Sequence, residues 1–252
     1  MQQNTRESIK SFIKSFLQKR LSKIQHFTLE ELRRAYPFHD LLFRDEALIA
    51  FKLQRSIVTA MGRDFYPKIA RLIAQEKYRD VHLDYKLSEE LDINQCNKIE
   101  EIVTALRSGE RRPGHEQERL EVLKVGGGGK RVATVIADLY IGDFPEGPFF
   151  SEIKTPLPNL DICAESKKKL LYFWAIMNAR GQLSENAYLA FPYNPYIKRE
   201  LYAWNYTPRI MDMQYQVLIA EEFWDKIGGP GTFDELLHIL SEVKREVPIR
   251  VK

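Results

Sequence analysis

Asp138 and the triplet Glu152-Ile153-Lys154 are the residues of this chain whose types and spacing offer chemistry. Two carboxylates and a lysine on one face are what phosphodiester hydrolysis asks for. The carboxylates give a divalent cation hard oxygen ligands and leave positions for water and a phosphate oxygen. The ammonium lowers the pKa of the attacking water or offsets the charge growing on phosphorus. In this reading Asp138, Glu152 and Lys154 are catalytic, and Asp138, Glu152 and the main-chain carbonyl of Ile153 hold Mg²⁺. The bare pattern is weak, because Glu-x-Lys recurs at Glu165-Ser166-Lys167 and Glu242-Val243-Lys244, and Asp-x-Lys at Asp84-Tyr85-Lys86. The two other Glu-x-Lys runs fall on predicted helices, where residues two apart point about 200° apart. On a strand, residues two apart share a face. Asp138 and Asp143 compete as the second carboxylate. With the turn centred on Pro145 and Glu146, Asp138 lies opposite about Ile153, whereas Asp143 sits in the turn, roughly 13 Å from Glu152. Asp138 is the better partner, provided that a bulge or twist near residues 145–147 shifts the register by one. A surface ion pair on a polar sheet face is the alternative that these residues leave open.

The elements that must position this set are read from periodicity. Ile9, Phe12, Ile13, Phe16, Leu17, Leu21 and Ile24 predict a long amphipathic helix. Thr28 with Glu31 predicts a capping box for a short helix ending before Pro37. Helices follow at about residues 44–61, 64–78 and 94–106, with a loop holding Asp84, Tyr85 and Lys86 and a break at 111–114. Alternation then predicts strands at 120–125, 131–141 and 149–155, an antiparallel meander. A helix at about 161–180 closed by Gly181, buried strands at 187–191 and 215–220, and a last helix to Lys244 capped by Thr232 with Glu235 complete the order. The fold class is α/β (α+β): a mixed central sheet flanked by helices, in one domain of residues 1–252, with a mostly helical region at 1–112 and the core at 113–252.

At 252 residues and 29.6 kDa, with 44% hydrophobic and 29% charged residues, the chain buries a core without staples, and its apolar runs are too short for a membrane span. Lys10, Lys14, Lys19 and Arg20 interrupt the apolar residues that a signal peptide would need, so the expected location is the cytoplasm. Cys96 and Cys163 are too few for a disulfide framework or a four-cysteine zinc site. The net charge is +3, and the positive excess lies in residues 1–36, where eight Lys/Arg face three Glu. That end either meets nucleic acid or forms a solvated helix face.

Lys167, Lys168 and Lys169 follow the active strand at the start of a helix, where positive charge opposes the helix dipole, and are read as contacts to a phosphate backbone. Asn159 either touches DNA or caps that helix. Tyr193, Tyr196, Tyr202, Trp204 and Tyr206 are read as packing in the core or between subunits rather than as a base-stacking platform. His39 and His115 are read as structural. Gly126 to Gly129 lacks the Lys-Ser/Thr of a phosphate loop and reads as a hairpin tip.

The hairpin carrying Asp138, followed by Phe150-Ser-Glu-Ile-Lys-Thr-Pro156, resembles the PD-(D/E)xK nuclease core, whose order of helix, three strands, helix and strand matches the order above. More narrowly, Pro37-Phe38-His39, Gln54 to Gly62, Glu152 to Asn159 and Glu222 to Gly229 are similar to the TdeIII family of type II restriction endonucleases, over about residues 37–245. The resemblance implies that Asp138, Glu152 and Lys154 are catalytic, with Mg²⁺ as cofactor and double-stranded DNA as substrate. It further implies a short interrupted palindrome of the GGNCC type as target, and a cognate DNA methyltransferase in the same system. Arg55, in the second motif, is an expected DNA contact. The chain departs from the pattern at Ala137, where the motif's name has proline, and at Gln54, where an acidic residue would join the metal site from a helix. A palindromic target calls for a homodimer, with the N-terminal helix or the tyrosine-rich stretch as the apolar interface. A structure-selective repair or recombination nuclease of the same core, and a DNA-binding protein with a dead nuclease core, are the competing functions.

Overall fold

The computed structural model describes residues 1–24, 28–182 and 184–247; the side chains of residues 21, 23 and 24 lie outside the description. The N-terminal part is helical: α1 (Gln3–Ile24), α2 (Leu29–Ala35), α3 (Pro37–Leu42) and α4 (Asp45–Ala60). A π-helical turn (Met61–Phe65) joins α4 to α5 (Tyr66–Ala74). The predicted capping box is present: Glu31 N donates to Thr28 Oγ1, and Thr28 N donates to Glu31 Oε2.

The sheet begins earlier than the alternation suggested. Its first strand is β1 (Val81–Asp92), followed by α6 (Ile93–Ser108), α7 (His115–Lys124), β2 (Lys130–Ile141) and β3 (Phe149–Ile153). The meander is therefore β1-β2-β3. Residues 120–125, expected as a strand, lie mainly in α7, where Glu118 and Val122, four apart, face inward and Leu120 is exposed. Asp84 and Lys86, read as loop, lie on β1. Alternation along 81–87 does bury Val81 and Leu87, but the charged residues between them masked it. The chain continues through α8 (Leu160–Ala179), β4 (Ala187–Phe191), α9 (Tyr206–Ile210), β5 (Val217–Ile219), α10 (Glu221–Gly228) and α11 (Thr232–Glu246). The start of α11 is capped by Asp225, whose carboxylate accepts from Gly231 N and Phe233 N; the Thr232 hydroxyl donates to Gly229 O instead of capping.

The strand order is β1-β2-β3-β4-β5, antiparallel at the first two junctions and parallel at the last two. One face packs Leu87, Val135, Ala137 and Phe150 against α6 and α8. The other packs Val81, Leu139, Ile141 and Phe149 beneath α1, α5, α10 and α11. Ala137 and Leu139 are two apart on β2 yet lie in opposite cores, as do Tyr85 and Leu83 on β1. The pleat therefore inverts between them. Asp84 sits at the inversion with φ 51°, and the paired positions run from Leu83–Leu139 to Tyr85–Ala137, so that Asp84 and Asp138 flank the break.

The basic N-terminal helix is neither free nor simply solvated. Arg6 pairs with Glu235 and Glu242, Lys10 with Glu242 and Glu246, and Lys14 with Glu246, all on α11, while Arg20 pairs with Asp64. Its apolar side buries Ile9, Ile13 and Phe16 within the same chain. The aromatic stretch is likewise used internally in part, with the Tyr202 hydroxyl donating to Pro156 O and Trp204 Nε1 to Pro158 O. No described helix is long and apolar enough to cross a membrane.

Candidate active site

The register of β2 on β3 decides whether the two carboxylates meet. Leu139 pairs with Ser151, Tyr140 with Phe150 and Ile141 with Phe149, so Asp138 falls opposite Glu152. A loop of odd length supplies the required one-residue shift. It is centred on Pro145 alone, with Glu146 (φ 66°) and Gly147 (φ 103°) in the left-handed region. Asp143 is committed elsewhere, accepting from the main-chain N–H groups of Arg79 and Asp80. Those hydrogen bonds, chiefly Arg79's, hold its carboxyl below the usual range.

Asp138 Oδ2 accepts from Ile153 N at 2.7 Å, so a side chain takes the place of the next ladder carbonyl where the two strands part. The same oxygen accepts from Lys154 Nζ at 2.9 Å. Lys154 Nζ also lies 2.8 Å from Glu152 Oε1, which ties all three residues together. The backbone beneath them is fixed from the other side by Lys154 N donating to Ala190 O. Burial presses the Lys154 ammonium toward neutrality, but the attraction of Glu152 and Asp138 outweighs it and raises its pKa. Ile153, between the two polar residues, is buried in the core, as strand alternation requires.

Glu152 is 1% exposed. Its Oε1 accepts from Lys154 and, at 2.8 Å, from Lys169 of α8. Its Oε2 is buried with no hydrogen-bond partner. A buried carboxylate oxygen without a partner is costly and calls for a ligand. With Asp138 alongside, the pair fits a hard divalent cation. Among the described residues no group of three or more His, Cys, Asp or Glu is arranged to hold a metal. Mg²⁺ does not require one, because it is usually held by one or two carboxylates with water and phosphate oxygens completing the shell.

Asp138, Ile153 and Lys154 line a cleft of about 620 Å³ from the sheet, with Gly62, Asp64 and Lys68 on its helical side; buried Glu152 is not part of its lining. The π turn delivers that helical side, and such turns recur at functional sites. Asp64 and Asp84, which also lines the cleft, are acidic groups that sequence patterns did not place there; hydrogen bonds from Arg63 hold the Asp64 carboxyl below its ordinary range. Only the nearby Gln54-to-Gly62 motif pointed to this region.

The remaining expected site residues scatter. Lys167 is not a backbone contact: it is fully buried, ion-paired with Glu118 and donating to Gln216 Oε1. Lys168 is half-exposed and pairs with Glu100 at 2.6 Å. Lys169 turns inward to Glu152. Asn159 caps α8, its Oδ1 accepting from Ile162 N at 2.8 Å. Gln54 and Arg55 are exposed on α4 and do not line the cleft. His115 is half-buried, stacked against Tyr215 and tilted on Trp174.

Comparison with known proteins bears on the class of the chain as a whole. The chain is 29% identical to the type II restriction enzymes HgiEI and HgiBI of Herpetosiphon aurantiacus, each over 95% of this chain and 93% of the relative. It is 26% identical to the type II restriction enzyme MjaII of Methanocaldococcus jannaschii, over 74% of this chain and 53% of that enzyme. No solved structure matches. The sequence model of the type II restriction endonuclease HinfI matches residues 1–244, so the class read from the motifs stands, although the family named is that of HinfI rather than TdeIII. A chain matched from its first helix to its last, with an Asp138–Glu152–Lys154 cluster beside an open cleft, belongs to the HinfI family of type II restriction endonucleases.

Proposed function

We propose that Asp138, Glu152 and Lys154 are the catalytic residues of this endonuclease, and that Mg²⁺ is held by both carboxylates and the Ile153 carbonyl. The substrate in this reading is double-stranded DNA carrying a short palindrome of the GGNCC type. The observation that carries the proposal is a cluster in which one lysine bridges two adjacent carboxylates and one carboxylate oxygen is buried without a partner. When bound, the ion supplies Lewis-acid polarisation of the phosphate and acidifies a water molecule. The chain's own groups do the rest. Asp138 and Glu152 hold ligand oxygens in place at no cost in reorganisation, because the strands and Lys154 already fix them. Lys154 keeps a positive charge at the mouth of the cleft, where charge grows on the phosphoryl oxygens as water bonds to phosphorus and the bond to the leaving sugar oxygen breaks. Lys68, half-buried in the same cleft, adds a second cation on the path of the DNA backbone.

One chain holds one such set, so cutting both strands of a two-fold site calls for two copies. Among the described residues the α3 region is an exposed apolar surface, with Phe38, Leu41, Leu42 and Phe43 54–83% exposed, and this supports it as the seat of a second copy. A methyltransferase that protects the same sequence is the expected companion.

The test is plasmid digestion with Mg²⁺ and mapping of the ends. Discrete GGNCC-type fragments are expected. Asp138→Ala, Glu152→Ala and Lys154→Ala should each slow cleavage by roughly 100- to 1,000-fold or more while duplex binding in Ca²⁺ persists. Cutting governed by DNA structure would instead favour a repair-type nuclease, no cutting of any DNA would favour a binding protein, and full activity in Asp138→Ala would remove this site.

A further inference from the structure

Glu152 has a second lysine that the hydrolytic set does not use. Lys169 Nζ lies 2.8 Å from Glu152 Oε1, the oxygen that Lys154 already approaches from β3. The two donors come from different layers of the molecule, and between them they saturate one oxygen and leave Oε2 bare. Lys169 stands at the middle of α8, with its side chain a quarter exposed. Its placement is fixed, because Lys167, two residues earlier, anchors the helix through a fully buried ion pair with Glu118. The charge balance of the hydrogen-bonded cluster is also informative. Two carboxylates face two ammonium groups, so the cluster without metal is neutral. A divalent cation added alone leaves two positive charges that the four groups of the cluster do not compensate, with Asp64, Asp84 and Lys68 lining the same cleft. A phosphodiester and a hydroxide, one negative charge each, remove that excess.

We propose that Lys169 is a positioning residue that acts through Glu152: it locks Oε1 so that Oε2 is presented to the metal, and its charge makes loading of the divalent ion depend on the arrival of the DNA phosphate. This rests on the reading of Glu152 as a metal ligand. Removal of the Lys169 charge then has opposite effects on two observables. The free enzyme binds a divalent cation more tightly, because a competing cation next to the ligand is gone. Cleavage becomes slower, because the carboxylate is no longer held. A lysine that served only to stabilise the fold would not produce this pair of effects.

The experiment is Ca²⁺ calorimetry on the DNA-free wild type, Lys169→Met, Lys169→Gln and Glu152→Gln, with Mg²⁺ cleavage rates and melting temperatures for each. Lys169→Gln removes the charge and, one bond shorter than lysine, draws its amide back from Oε1; it decides the matter if the methionine variant fails to fold. Both Lys169 variants are expected to bind Ca²⁺ at least about fivefold tighter than wild type and to cleave at least about tenfold more slowly. Adding a GGNCC duplex should tighten Ca²⁺ binding more in the wild type than in either variant. Unchanged or weaker Ca²⁺ binding in the folded variants, or cleavage at the wild-type rate, overturns the role of Lys169 alone. Equal Ca²⁺ binding by wild type and Glu152→Gln overturns the metal-ligand reading of Glu152 and this inference with it.

Discussion

Replacing Lys167 by methionine removes one half of an ion pair that water does not reach. Both side chains of the Lys167–Glu118 pair are 0% exposed, and burial presses both toward their neutral forms while their mutual attraction resists it. With Lys167 gone, Glu118 keeps only a 3.2 Å hydrogen bond from Gly114 N, and Gln216 Oε1 loses a 2.6 Å donor but keeps Asp212 N. Breaking a buried pair by deleting one partner costs about 3–5 kcal/mol. At roughly 2–4 °C per kcal/mol for a chain of this size, the melting temperature should fall by roughly 6–20 °C. Replacing both partners, Lys167→Met with Glu118→Leu, leaves Gly114 N as the one new orphan and should cost only about 1–3 kcal/mol. Urea unfolding of the four members of this cycle gives the coupling. The slope of DNA affinity against salt should be unchanged in the methionine variant, because a buried ammonium releases no counterion. A loss of stability under about 1 kcal/mol, additive costs in the double variant, or a shallower salt slope would each refute this account and return Lys167 to the DNA surface.

Two further outcomes follow from groups outside the site. Burial, helped by Lys167 and Arg119 against Glu185 and Asp212, lowers the His115 pKa and so favours its neutral form in the fold. The unfolded chain then binds more protons once the pH drops below about 6.5, and stability falls as the pH is lowered through that point. His115→Phe, which keeps a ring between Trp174 and Tyr215, should flatten that decline in urea unfolding at pH 7.5 and 5.5, and an unaltered pH dependence would count against it. Asn159→Ala should cost about 1 kcal/mol through loss of the helix cap with no selective effect on cognate DNA, whereas a loss of affinity for the cognate site alone would mark Asn159 as a base contact.

What could be read in advance was what depends on neighbours along the chain. The alternation on β2 and β3 sets Asp138 within one residue of Glu152, with the remaining shift expected from a bulge or twist and found in the odd length of the loop, and the capping box at Thr28 needs only four residues to form. Residues whose fate depends on distant partners were opaque. Lys167, Lys168 and Lys169 are identical side chains in a row, yet helix geometry sends them to Glu118, Glu100 and Glu152. No local signal separates those destinations. The N-terminal cations meet their acids on the last helix, and β1 hid because its solvent-facing positions are charged while only every second residue is apolar. The motif running to Gly62 lay close to the cleft, but the π turn that aims the following residues into it has no pattern of its own in the sequence.

The tie between α1 and α11 bears on when this enzyme becomes dangerous to the cell that makes it. Arg6 and Glu242 are 236 residues apart. At roughly 5–20 residues per second, a ribosome needs about 12–47 s to travel that distance. During this interval α1, whose Phe12 lines the cleft beside Asp138, is synthesised but lacks the acidic helix that neutralises its cations. The wall of the cleft that α1 provides is therefore completed only after Asp138, Glu152 and Lys154 have all emerged. A nascent chain carries Asp138, Glu152 and Lys154 well before it carries a finished cleft.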